Sequence, residues 1–261
     1  MDWCCGCRKF QTRALRAVAI AAAVLAGAVL VDAAPVSADT PVELELILAV
    51  DVSNSVDEGE FELQRRGIAA AFRHPAVQAA IRKAGDRGIA VALIQWSDFV
   101  HQRKTVDWTL VHDAADAAAL ATDIAATGRA ISGGGTAIYG VINAALHEFD
   151  NNGYDGQRRV IDVSGDGRSD LLVPTTAARD RAVARGVAIN GLAILNDEPD
   201  LDRYFRAYVI GGAKAFVISV EGFDAFAAAM VIKLTREIEY APAVSSVPPR
   251  RAIGRSWARL E

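Results

Sequence analysis

Cysteine is almost absent from this sequence, because its three cysteines, Cys4, Cys5 and Cys7, all lie within the first seven residues. No disulfide can form in the rest of the chain, and the three thiols lack a nearby fourth ligand for a structural zinc ion. The four histidines are scattered and form no H-E-x-x-H pair. These absences exclude a disulfide-stapled small domain and a zincin-type hydrolase.

The motifs of several other classes are also missing. The run Gly133–Gly135 has neither the G-x-G-x-x-G spacing of a dinucleotide site nor the lysine of a P-loop, and no G-x-S-x-G elbow occurs. We therefore expect a protein that is not an enzyme. The 28 Lys plus Arg against 32 Asp plus Glu offer no basic surface for nucleic acid, and 23% charged residues is too polar for a polytopic membrane protein.

The amino-terminal segment has the order of a secretory signal. Basic residues between positions 8 and 16 precede fifteen uncharged residues, 17–31, and small residues end at Ala38. We predict a signal peptide over residues 1–38, cleavage after Ala38, and a periplasmic or secreted protein. Fifteen helical residues span only about 22 Å, short of a hydrocarbon core of roughly 30 Å, which disfavours the alternative of a retained membrane anchor. The mature chain is expected to have no membrane span.

Charge is distributed unevenly along the remaining chain. The tail, residues 241–261, contains four arginines and three prolines, and we expect it to be disordered. Residues 39–240 contain 20 basic and 29 acidic residues, a net charge of -9, and form the predicted domain. About 200 residues are enough for a self-sufficient core, and an acidic body favours cations as partners over polyanions.

Short apolar runs alternate with segments of helical character, a pattern that predicts a doubly wound α/β fold with a mostly parallel sheet. A more polar strand between Phe99 and Val106 would suit a sheet edge. The apolar runs are Val42–Val52, Gly88–Trp96, Arg158–Val163, Gly186–Leu195 and Ala215–Val220. The predicted helices are Asp57–Ala84, His112–Arg129, Ala137–Phe149, Thr175–Arg185, Leu201–Ile210 and Asp224–Glu239.

Three loops beyond these strands carry unusual polar residues. The first is a D-x-S-x-S pattern over Asp51–Ser55, the second is Ser132–Thr136 (SGGGT), and the third is Ser164–Gly167 (SGDG). Ligands of open parallel sheets bind beyond the carboxyl ends of the strands, where these loops are expected. Their hydroxyl and carboxylate oxygens suit a hard divalent cation, with Mg²⁺ preferred and Mn²⁺ or Ca²⁺ as alternatives. A shell rich in neutral hydroxyls leaves the ion positive enough to attract an external anionic oxygen.

At these residues the sequence resembles the von Willebrand factor A domain, and is most similar to bacterial exported members of unassigned role. The metal-ion-dependent adhesion site of that family combines D-x-S-x-S, a threonine in a second loop and an aspartate in a third. The resemblance implies that Ser53, Ser55 and Thr136 coordinate the metal directly. It implies that Asp51 and Asp166 act directly or through water. It also implies that a protein or other anionic ligand supplies a carboxylate to the remaining position.

The same residues allow two other interpretations, one as an enzyme and one as a structural module. The stretch Gly165–Asp170 is similar to the magnesium loop of haloacid-dehalogenase-type phosphotransferases, with Asp51 as nucleophile. That chemistry needs an aspartate where Ser53 stands, and a lysine that is missing between Lys104 and Lys214. A second alternative is a structural envelope module in which the metal only fixes the loops.

An acidic run follows the fourth apolar run, at the sheet end where the three loops are expected. It comprises Asn196, Asp197, Glu198, Asp200 and Asp202. It is either a solvated loop with a helix cap or a source of negative charge around the metal.

Overall fold

A six-stranded sheet organises the part of the chain that the computed structural model describes, residues 39–239. The strands of the described residues are β1 Thr40–Val42, β2 Leu44–Asp51, β3 Ile89–Trp96, β4 Gln102–Val111, β5 Tyr154–Gly156, β6 Arg159–Gly165, β7 Val187–Ile194 and β8 Val217–Val220. The order in the six-stranded sheet is β4-β3-β2-β6-β7-β8, and every neighbouring pair is parallel except β3 with β4. The short strands β1 and β5 form a separate parallel pair.

Helices cover both faces of this sheet. They are α1 Glu58–Arg73, α2 Pro75–Lys83, α3 Ala114–Ala126, α4 Ile138–Glu148, α5 Leu172–Ala184, α6 Leu201–Tyr204 with a π-helical turn Phe205–Val209, and α7 Phe226–Ile238. The alternation of strand side chains creates two cores: Leu46 and Leu48 of β2 face α1, α2, α3 and α7, whereas Ile47 and Ala49 face α4, α5 and α6. The predicted doubly wound fold class is confirmed.

The sequence correctly predicted an edge strand in this part of the chain, but the prediction ended too early, at Val106. Strand β4 lies at the sheet edge, runs antiparallel to β3, and extends to Val111. Most of its side chains are half-buried, and only Val106 and Val111 are buried, as is typical of a strand at a sheet edge.

Three helix predictions were wrong in their bounds. The helix predicted over His112–Arg129 is α3, which ends at Ala126 because Thr127 adopts extended backbone. The single helix predicted over Asp57–Ala84 is two helices, because His74 before Pro75 adopts extended backbone with φ -73° and ψ 135°. Helix α5 begins at Leu172, three residues before the predicted start at Thr175. Pro174 is accommodated in its first turn, where backbone N–H groups have no partner within the helix.

The strand order reverses between β2 and β6. From β2 the chain passes through α1 and α2 to β3 on one side, and from β6 it passes through α5 to β7 on the other. The crevice beyond their carboxyl ends is where open α/β sheets bind ligands. Strand β2 ends at Asp51 and β6 ends at Gly165, so the first and third predicted loops flank this crevice.

No helix among residues 39–239 is long and apolar enough to cross a membrane. The predicted signal peptide, residues 1–38, and the predicted tail, residues 241–261, lie outside the described residues. Both remain predictions from sequence.

Candidate metal centre

The first predicted loop is fixed at its base and at its end. Asp51 is buried at the end of β2, and its Oδ1 accepts a hydrogen bond of 2.8 Å from the backbone N–H of Ser53. Gln64 of α1 donates from Nε2 to the Asp51 carbonyl oxygen at 3.0 Å. Asp57 and Glu60 then form a reciprocal capping box at the start of α1. The D-x-S-x-S segment is therefore held in a defined turn before the helix begins.

Hydroxyl groups connect the first loop to the third. The Oγ atoms of Ser53 and Ser55 lie 3.1 Å apart, and Ser55 donates a hydrogen bond of 2.8 Å to Asp166 Oδ1. A Cβ at position 165 would lie 2.8 Å from Asp51 Oδ2, so glycine is needed there for the third loop to approach Asp51. Four of the five predicted ligands thus lie together beyond β2 and β6.

The glycine loop, which carries the fifth predicted ligand, Thr136, lies against both the first and the third loop. Asn54 donates its backbone N–H to the Gly134 carbonyl at 3.1 Å and accepts the Gly134 N–H on its side-chain oxygen at 3.2 Å. Thr136 Oγ1 lies 3.6 Å from the position that a Cβ at Gly167 would take. All three loops therefore meet at one end of the sheet.

The two carboxylates of this cluster lie in an unfavourable environment. Burial, and then the negative charge of Asp166, raises the pKa of Asp51 to about 7. Burial also raises the pKa of Asp166, and the nearby charges of Asp197 and Glu198 add to the effect. The Oδ2 atoms of both aspartates are buried and accept no hydrogen bond from the described residues. Burying a carboxylate oxygen without a partner destabilises the folded state unless a proton or a cation binds to it.

These donors fit a hard divalent cation. Two carboxylates with two buried orphan oxygens, two serine hydroxyls and a threonine hydroxyl form a set of oxygen ligands without nitrogen or sulfur. Among residues 39–239, no three His, Cys, Asp or Glu side chains are grouped to hold a metal. A cation at this place would therefore depend on hydroxyl ligands, as the sequence pattern indicated.

Arg129 supports the site and was missed by sequence reasoning. Its Nη2 donates to the carbonyl oxygens of Val52 and Ser53 at 2.9 and 3.0 Å, and its charge favours the ionised form of Asp51. Arg129 lies in an irregular segment after α3, although the sequence predicted it as the last residue of a helix, and no motif marks it. Gln64 was also missed, although a polar residue on the buried side of a helix is a signal that could have revealed it.

The acidic run after β7 lies beside the site. Glu198 accepts the backbone N–H of Arg168 at 3.0 Å and pairs with the Arg168 side chain at 2.7 Å. Arg168 directly follows the Asp166–Gly167 turn. The run therefore places carboxylates beside the third loop, and its role toward a metal remains a prediction.

Comparisons with known proteins agree with this architecture. The family profile described as "Protein of unknown function (DUF1194)" matches residues 41–242. A search of curated proteins gave no match. The fold is that of von Willebrand factor A domains: a von Willebrand factor type A protein from Catenulispora acidiphila is 16% identical with a TM-score of 0.54, and the similarity covers 76% of this chain and 43% of that one.

Proximal thread matrix protein 1 from the mussel byssus has the same fold. It is 16% identical with a TM-score of 0.54. A second structure of it, described as having a zinc-occupied MIDAS motif, is 15% identical with a TM-score of 0.52. Each covers 77% of this chain and 47% of its own, so the present chain matches less than half the length of these solved proteins.

Proposed function

This chain belongs to the family described as "Protein of unknown function (DUF1194)", and from its site we propose that it is an exported, metal-ion-dependent binding module. In this proposal five side chains hold a divalent cation, with Mg²⁺ the preferred ion. The cation then engages a carboxylate of a protein or another anionic ligand. The five side chains are Asp51, Ser53, Ser55, Thr136 and Asp166.

One observation carries the proposal: two buried carboxylates face the same loop cluster with orphan Oδ2 atoms and with serine hydroxyls between them. The negative charge of Asp166 raises the pKa of Asp51, and the positive charge of Arg129 lowers it without offsetting the rise caused by burial. Buried like charges of this kind are stabilised by a bound cation. The oxygen chemistry favours Mg²⁺, Mn²⁺ or Ca²⁺ over softer ions.

The individual residues have separable roles in this proposal. When bound, the cation supplies a positive charge and an open coordination position for an anionic oxygen. The neutral hydroxyls of Ser53, Ser55 and Thr136 leave much of that charge uncompensated. Arg129 and Asn54 position the first loop through backbone contacts, so they are positioning residues rather than ligands.

Two further features support a divalent cation and binding rather than catalysis. The mussel protein with this fold is described with a zinc-occupied MIDAS motif. The phosphotransferase alternative lacks its general acid, because Ser53 occupies the position two residues after Asp51. We therefore propose that the protein is not an enzyme. Export is proposed from the basic and apolar leader, residues 1–38.

The structural envelope module is the second candidate. The hydrogen bonds from Ser55 to Asp166 and between Asn54 and Gly134 join the three loops without any ion, which favours a scaffold role. Capture of ligands from envelope extract, with Mg²⁺ or with chelator, separates the two. Ligands held through the metal are lost with chelator, whereas contacts of a scaffold elsewhere on the surface persist.

Calorimetry on the purified protein tests the site itself. We expect Mg²⁺, Mn²⁺ or Ca²⁺ to bind with one-to-one stoichiometry in the unchanged protein, and binding to disappear in the double variant Asp51→Ala with Ser53→Ala. Asp123→Ala, which changes an exposed carboxylate on α3, serves as the control and should bind normally. Absence of binding in the unchanged protein, or unchanged binding in the double variant, refutes the assignment.

A further inference from the structure

Large apolar side chains are concentrated near the candidate metal centre. Nine are exposed among residues 39–239, and five of these belong to two short segments, Phe99–Val100 and Leu171–Val173. Phe99 is 63% exposed and Val173 is 75% exposed. Single exposed apolar residues are ordinary, whereas a group of them marks an interaction site. We call Phe99, Val100, Leu171, Leu172 and Val173 the apolar rim.

The two segments of the apolar rim border the glycine loop on two sides. A Cβ at Gly134 would lie 3.1 Å from Asp98 Oδ2, and one at Gly135 would lie 2.5 Å from Asp170 Oδ2. The backbone N–H of Asp170 also donates to the Thr136 carbonyl at 2.7 Å. Each segment of the apolar rim follows directly after one of these aspartates. The loop that carries Thr136 therefore lies between them.

Both segments are held in place by local hydrogen bonds. Asp98 Oδ1 accepts the backbone N–H groups of Val100 and His101, each at 3.0 Å. At the start of α5, the Leu171 carbonyl accepts a hydrogen bond of 2.7 Å from the Thr175 hydroxyl. The apolar rim is thus presented on ordered backbone, which lowers the entropy lost when a partner binds.

Four carboxylates against two paired basic side chains leave the border of the apolar rim and the site with an excess of negative charge. Asp170 lies against the glycine loop, as does Asp98, which also pairs with His101. Glu198 accepts the backbone N–H of Arg168 and pairs with its side chain, and Asp197 lies next to Glu198. The charges of Asp197 and Glu198 reach the site closely enough to act on Asp166. A partner with basic groups is therefore attracted to the edge of this face, while its centre requires an anionic group for the cation.

Resting on the function proposed above, we infer that this face docks a protein segment in which one Asp or Glu is flanked by large apolar side chains and accompanied by Lys or Arg. The carboxylate meets the cation, the apolar side chains cover the apolar rim, and the basic group meets the surrounding carboxylates. A second copy of this chain fits poorly, because residues 39–240 carry a net charge of -9 and two acidic faces would repel. An anionic lipid surface is disfavoured for the same reason.

A displayed library of random twelve-residue peptides tests this inference on the purified protein. Peptides are selected in Mg²⁺, released with chelator, and measured singly by fluorescence anisotropy. We expect Asp or Glu flanked by apolar residues, with Lys or Arg nearby. In Phe99→Ser with Val173→Ser, affinity for these peptides should fall about tenfold or more, with Mg²⁺ binding unchanged. The control, Val183→Ser with Ile232→Ser, removes exposed apolar side chains outside the apolar rim and should bind the peptides normally.

The other outcomes overturn the inference in distinguishable ways. Carboxylate peptides without apolar neighbours, bound equally by both double variants, would overturn the docking surface and leave the metal site standing. If the selection yields no peptide, the docking surface is likewise overturned and the metal site is left standing. Failure of the unchanged protein to bind Mg²⁺ would overturn the proposed function together with this inference. Concentration-dependent dimerisation that Phe99→Ser with Val173→Ser abolishes would identify a second copy as the occupant instead.

Discussion

A lysine in the interior of the domain gives the sharpest prediction of stability. Lys233 of α7 is fully buried, with its Nζ 2.7 Å from Asp162 Oδ1 of β6 and 2.6 Å from Glu237 Oε1. Asn190 of β7 donates a further hydrogen bond of 2.9 Å to Glu237. The cluster contains two carboxylates and one ammonium group, so the lysine balances an excess of negative charge. Burial, and then Glu237, raises the pKa of Asp162.

Replacing this lysine and replacing one carboxylate should therefore have unequal effects. Lys233→Met leaves two buried carboxylates without a cation, and we expect a loss of about 3–5 kcal/mol in the free energy of unfolding near neutral pH. Asp162→Asn leaves one ammonium facing one carboxylate, and we expect a change within about 1 kcal/mol. The exposed pair of Lys83 with Glu239 provides the control, because Lys83→Met should cost less than about 1 kcal/mol.

Urea unfolding followed by circular dichroism, in chelator to exclude any metal effect, measures these differences. The pH dependence has a defined sign, because a carboxyl with a raised folded pKa keeps its proton in the folded state while the unfolded chain loses it. Its contribution to stability is full at low pH and declines as pH rises through the folded pKa. The loss caused by Lys233→Met should therefore be smaller at about pH 5 than at about pH 8. Equal losses for Lys233→Met and Asp162→Asn would refute the charge-balance argument.

Three further predictions concern the candidate metal centre. Gly165→Ala should weaken Mg²⁺ binding about tenfold or more, because its Cβ would lie 2.8 Å from Asp51 Oδ2, whereas Gly128→Ala, with open space around it, should leave calorimetric titrations unchanged. Arg129→Gln should lower the free energy of unfolding in urea by about 1–3 kcal/mol, because buried carbonyl oxygens lose their donor. Mg²⁺ at about 100 times its Kd should stabilise the unchanged protein by about 2.7 kcal/mol in thermal unfolding and leave Ser53→Ala unaffected.

Much of the sheet and the meeting of the three loops follow from the sequence. Apolar runs marked five of the six strands of the main sheet, and parallel strands carry their following loops to one edge, so the sequence predicts that Asp51 and Asp166 approach each other. The start of α5 was misplaced because Leu171, at its amino-terminal end, makes no side-chain capping bond that sequence could signal. The break at His74 reflects the restriction that Pro75 imposes, which outweighed a continuous helical pattern.

Features without periodicity were beyond sequence reasoning. Strands β1 and β5 contain three residues each, too few to show alternation. Arg129 acts through backbone carbonyls of a loop 76 residues away, a contact that only the assembled fold creates. The apolar rim consists of ordinary hydrophobic residues, and only their exposure in the structure distinguishes them from core.

The hydrogen bond from Ser55 to Asp166 joins residues 111 positions apart in the chain. A cation cannot template folding at such a site, because its ligands come together only after β2 and β6 have paired, and parallel pairing over this separation is intrinsically slow. We expect Mg²⁺ to leave the refolding rate nearly unchanged and to slow unfolding, as interactions formed after the transition state do. In the proposed exported protein, the ion would bind only after the domain has folded. It would then set the lifetime of the folded binding face and not the rate at which that face forms.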